Sequence, residues 1–97
     1  MSTHDDIAKK IARKYKTDYN PSKGVDVQTP DKAIEVESNI NTLSDGIRQL
    51  QGYKRSRYIS VPNRFVPDAI ESLKHTKIGV MDQNGNIKRR AKKPGKK

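Results

Sequence analysis

At 97 residues, 31% of them hydrophobic and none of them cysteine, the chain has room for one domain with a thin core and for no disulfide or thiolate metal site. Its formal charge is +10, but the last ten residues, Lys88 to Lys97, hold seven Lys or Arg and no acid, which leaves about +3 for the rest. No run approaches the length of a membrane span, and the polar start Met1-Ser2-Thr3-His4-Asp5-Asp6 lacks the apolar stretch of a secretory signal, so a cytoplasmic location is expected.

Residues 4–15 read as an amphipathic helix. Ile7, Ala8, Ile11, Ala12 and Tyr15 recur at spacings of three and four, with Lys9, Lys10, Arg13 and Lys14 opposite them. Thr3 or His4 starts it, and Asp5 and Asp6 suit its first turn. The lysines serve either as a solvated face or as phosphate contacts. Asn20 to Gly24 is a turn by composition. Val25 and Val27 then alternate with Asp26 and Gln28, a turn follows at Thr29-Pro30-Asp31-Lys32, and residues 33–38 form a second strand.

Asn41 or Thr42 can cap a helix running to about Arg55, with Leu43, Ile47 and Leu50 on its inner stripe. Gln49 and Tyr53, four apart, stand one turn above each other in that helix. Tyr58 to Val61 is a strand ended by Pro62. Residues 65–74 make a short helix that tolerates Pro67 in its first turn. Lys77 to Met81 is a strand, and Asn84-Gly85 signals a tight turn. The expected domain spans 1–87, and residues 88–97 are too polar to pack and form a disordered basic tail. A helical crossover between the strands at 33–38 and 58–61 permits parallel pairing, so the fold class is α/β, a small mixed β-sheet flanked by helices.

The chemistry-bearing residues lie on the first two strands. Strand alternation puts Glu35 and Glu37 on one face and Ile34 and Val36 on the other, and a hairpin brings Asp26 toward the two glutamates. At roughly 7 Å and an effective dielectric of about 20, two such charges repel by about 2–3 kcal/mol. A divalent cation would remove that cost. With no cysteine, and with two histidines, His4 and His75, that lack zinc-ligand spacing, such a metal takes oxygen ligands. The same acids also fit a solvated sheet face partnered by Lys16 or Arg57.

An acid on one strand, an acid pair on the next and a crossover helix after it resemble the restriction-endonuclease-like, or PD-(D/E)XK, nuclease superfamily over roughly residues 5–82. The resemblance implies a core of α-β-β-β-α-β order, with Asp26 and Glu35 as magnesium or manganese ligands and the Val36 main-chain carbonyl as a further one. Gln49-x-x-x-Tyr53 is similar to the QxxxY helix motif that lies beside the active centre in a subset of these enzymes. The family's lysine position holds Glu37, as it does in some active restriction enzymes of the superfamily. The implied function is a small metal-dependent nuclease that hydrolyses DNA by magnesium-assisted water attack. Glu37 would activate or orient the water, Gln49 would fix the water or a nucleotide, and Tyr53 would contact a phosphate. The alternative is a non-catalytic nucleic-acid-binding protein or an accessory subunit. In either case Lys23, Lys54, Lys88, Arg89, Arg90, Lys92 and Lys93 are the expected nucleic-acid contacts. The expected partners are DNA, not a membrane, together with a second copy of the chain in a homodimer or a larger enzyme.

Overall fold

The computed structural model describes residues 4–17, 19 and 25–92. The expected turn at residues 20–24, Thr3 as a helix start, the candidate contacts Lys23 and Lys93, and the tail from 93 onward lie outside the described residues. Eight elements follow one another: α1 (His4–Lys14), β1 (Val27–Gln28), β2 (Lys32–Val36), α2 (Leu43–Leu50), β3 (Ser56–Ser60), α3 (Val66–Leu73), β4 (Gly79–Met81) and β5 (Ile87–Arg89). Short 3-10 turns, Ile40–Thr42 and Asn63–Phe65, lead into α2 and α3. Two strands rather than three therefore precede the first crossover helix.

The five strands form one mixed sheet in the order β1-β2-β3-β4-β5. The central three are parallel, in the register Ile34↔Tyr58 and Tyr58↔Gly79, and the two outer strands run antiparallel to them. The parallel pairing across the α2 crossover agrees with the sequence reading. Both ends of the sheet are closed by very short strands, which leaves little open edge for unwanted pairing.

Three layers result. Ile7, Ala8, Ile11 and Ala12 of α1 are buried against Val27, Ile34, Val36, Tyr58 and Met81 on one sheet face. Leu43 and Leu50 of α2 and Ala69 and Leu73 of α3 cover Ala33, Ile59 and Val80 on the other. Each fully buried Ile or Leu side chain contributes about 1.5–3 kcal/mol of transfer free energy, so these two thin cores carry the fold. Among the described residues no helix is long and apolar enough to cross a membrane.

Three elements depart from the sequence reading. The second helix ends at Leu50, because Gly52 takes φ 90°, a left-handed conformation that costs a glycine little and stops the helical ladder. The first strand is only two residues long. Lys88 and Arg89, expected in a disordered tail, belong to β5, where a residue on the β4 side can pair. Arg89 is fixed there by donating to the carbonyls of Ile78, Lys74 and Thr76.

Candidate functional site

Val25 and Val27 do not share a face. Val25 packs with α2 and α3, while Val27 packs under α1. Between them the chain bends at Asp26, and the bend aims its carboxylate back into the sheet. Asp26 Oδ2 accepts the Val36 amide N–H at 2.9 Å and lies 2.9 Å from His4 Nε2, while the Asp26 amide donates to Glu35 Oε1 at 3.3 Å. The side chain thus takes the place of a ladder acceptor at the end of β2. His4 in turn lies 3.3 Å from Asp5 Oδ1, which also accepts the Tyr19 hydroxyl at 2.7 Å. One polar chain ties the start of α1 to the sheet.

Glu37 projects to the α2 side, as strand alternation from Ala33 and Glu35 requires. Its Oε1 accepts the Thr42 hydroxyl at 2.5 Å, and a Cβ added at Gly46 would sit 3.0 Å from its carboxylate. A side chain at Gly46 would crowd the Glu37 and Ile59 side chains, which would have to shift to make room.

Asp26, Glu35 and Glu37 are 7%, 8% and 9% exposed, so each carboxyl has lost most of its water. Burial pushes the Glu35 carboxyl up to about 8. The charges of Asp26 and Glu37 add to the rise, against the Asp26 amide and His4, which lower it. Burial also raises Glu37, partly offset by the Thr42 hydroxyl. For His4, burial acts downward, but the Asp26 charge and the bonds to Asp5 and Asp26 outweigh it and raise the imidazole overall. At neutral pH Glu35 therefore favours its protonated form, and the His4 imidazole, raised above its usual value, faces the Asp26 carboxylate.

These occupancies correct the metal reading. Among the described residues no group of three or more His, Cys, Asp or Glu side chains is placed to hold a metal ion. Asp26 accepts two internal donors, Glu35 accepts the Asp26 amide, and Glu37 is engaged by Thr42. A magnesium or manganese site on Asp26, Glu35 and Val36 is accordingly withdrawn. With it fall the assignment to the PD-(D/E)XK superfamily and the metal-dependent nuclease, or hydrolase, that rested on that site.

The remaining candidates scatter. Gln49 is exposed on α2, whereas Tyr53 lies beyond its end, so the two do not share a helix face. The Tyr53 hydroxyl accepts the Val25 amide at 3.2 Å and holds the bend before Asp26. Lys54, Arg90 and Lys92 are exposed, and Lys88 lies 3.9 Å from the buried Asp82. Sequence reading missed His4 as a partner of Asp26, because a separation of 22 positions gives no local signal. It also missed Arg57 as a residue of the buried face, although the alternation Arg57, Ile59, Val61 carries that signal. No protein-family model, curated protein or solved structure matches the chain.

Proposed function

We propose that this chain is a non-catalytic nucleic-acid-binding domain that holds the phosphate backbone of DNA through exposed Lys and Arg side chains. The observation that carries this reading is how the fold sorts its charges. Four of the ten acids among the described residues, Asp26, Glu35, Glu37 and Asp82, are buried, whereas none of the described Lys or Arg residues is. These four carboxyls are withheld from contact with a bound polyanion, while the Lys and Arg side chains stay within its reach on a chain of formal charge +10.

Such a surface binds a polyanion by counterion release, without sequence preference and with strong salt dependence. Lys54, Arg90 and Lys92 are exposed contacts in this account, and the basic sequence beyond Lys92 extends the same charge. The Glu35 carboxyl accepts the Asp26 amide and the Asp26 carboxylate accepts the Val36 amide, which braces the sheet edge.

The test is a fluorescence-anisotropy titration of the full chain against a labelled 20-base-pair duplex and its single strand. Binding at 50 mM salt that weakens by about tenfold or more at 200 mM, with neither DNA shortened, supports the reading. Absence of binding at 50 mM salt, or affinity indifferent to salt, overturns it.

A further inference from the structure

Because β2, β3 and β4 are parallel and each outer strand runs antiparallel to its neighbour, one end of the sheet collects the starts of β2, β3 and β4 and the ends of β1 and β5. The crossover helices α2 and α3 run back, so their C-termini reach the same end. The sequence loads that end with cations: Lys54, Arg55 and Arg57 enter β3, Lys77 precedes β4, and Arg90 and Lys92 follow β5. Asp31 and Glu71 are the acids nearby, and each is paired with a lysine, at 3.3 Å to Lys32 and 2.8 Å to Lys74. Glu37, Asp82, Asp45 and Asp68 lie toward the opposite end, where the parallel strands stop and the helices start.

We infer that the phosphate-binding surface is this strand-start end of the sheet, centred on Arg57 and completed by Lys54, Lys77, Arg90 and Lys92. The inference rests on the nucleic-acid-binding reading and gives it a place.

Arg57 is the residue that sets this end apart from an ordinary solvated lysine face. Strand alternation puts it on the same side as Ile59 and Val61, under α2 and α3, and it is half-buried with Ala33 opposite it on β2. Its Nε is buried and has no hydrogen-bond partner, and no carboxylate pairs with its guanidinium among the described residues. A guanidinium whose stem is fixed by packing gives up less rotamer freedom on binding than a free surface lysine, and its planar fork suits a phosphate.

The neighbours are held in place independently. The Lys92 amide donates to the Lys77 carbonyl at 2.9 Å, which sets the segment after β5 beside the entry to β4. Arg89 locks that segment through its three carbonyl contacts and is thereby removed from the contact set. On the other flank, Pro30, Asp31, Lys54, Arg55 and Ser56 line an open cleft of about 330 Å³. Cations near helix C-termini also answer the helix dipole. The residues placed for that role, Arg48 and Lys74, are in ion pairs with Asp45 and Glu71, while Lys54, Arg57 and Lys77 lie past the helix ends. On the other cationic surface, the outer face of α1, Lys10 and Lys14 bond to Asn84 and Asn86, and the acids Asp5 and Asp6 share the exposed side.

The experiment measures duplex affinity against salt for the full chain, for Lys54→Gln/Lys77→Gln, for Arg57→Gln and Arg57→Lys, and for an α1 control, Lys9→Gln/Arg13→Gln. The exposed double variant keeps the core intact whatever Arg57→Gln does to folding, and circular dichroism checks each protein. The inference predicts that the double variant loses about tenfold in affinity at 50 mM salt and flattens the log–log slope by about 2, one unit per lost phosphate contact. Arg57→Gln follows it, Arg57→Lys recovers part of the loss, and the α1 control stays within about twofold. Folded strand-start variants that bind like wild type, or an α1 control that loses as much as they do, overturn the placement while wild-type binding leaves the proposed function standing. Failure of the wild type to bind removes both.

Discussion

The Val36 amide donates to the Asp26 carboxylate at 2.9 Å, across the end of a hairpin whose regular pairing has already stopped. Asp26 is an architectural acceptor in this fold, and replacing it exposes the cost of leaving that amide buried and unpaired. Asp26→Ala is expected to destabilise the protein by about 1–3 kcal/mol in urea unfolding. Asp26→Asn, which keeps an acceptor oxygen, is expected to cost less. Equal costs for the two would deny the carboxylate this role.

The pH dependence follows from Glu35 and His4 together. Glu35 takes up a proton in the folded state up to about pH 8 but is ionised in the unfolded chain above its usual range, so its stabilising proton is lost as pH rises toward 8. His4 is raised, so its contribution is present below about 6.5 and is lost as pH rises through its folded value. Both act in one direction. Thermal stability is expected to fall between about pH 5 and pH 8, and Glu35→Gln is expected to flatten that fall. A stability that rises over this interval in the wild type contradicts the assignment.

Tyr53 and Gln49 should separate under mutation. Tyr53→Phe removes the acceptor of the Val25 amide and is expected to cost about 1 kcal/mol, whereas exposed Gln49→Ala is expected to stay within about 0.5 kcal/mol. Thermal denaturation of both variants checks this. Two equal losses would restore the pair as a unit.

Added divalent cation is expected to do little to the fold. A ligand that binds only the folded protein raises its melting temperature by mass action. With Asp26 and Glu37 engaged internally and Glu35 protonated, millimolar magnesium or manganese is expected to move the melting temperature at pH 7 by less than about 1 °C. A larger rise that chelator reverses would show a cation site in the cluster.

The layers of this fold were legible in the sequence, because Ile7, Ile11, Ile34 and Ile59 sit at periods that only a helix on a sheet satisfies. Asp26 was placed beside Glu35, as the hairpin requires. The bonds these acids make were not legible, since a carboxylate that caps an amide and one that binds a cation have the same spacing in sequence. The helix end was misread because Tyr53 and Lys54 continue a plausible pattern past Gly52, and the conformation of one glycine decides it. Lys88 and Arg89 looked like tail by composition, yet carbonyls exposed by the turn after α3 give Arg89 a set of acceptors that no local pattern announces.

On the proposed function, the buried acids hold the fold while the surface cations do the binding. The most direct test compares wild type with Glu35→Gln on a labelled DNA duplex with magnesium present, reading affinity and fragment length in the same samples. The account predicts equal affinity within about twofold, because a proton-bearing carboxyl and an amide present the same neutral group at pH 7, with the DNA intact in both. Shortened DNA with the wild type and intact DNA with a folded Glu35→Gln would contradict it.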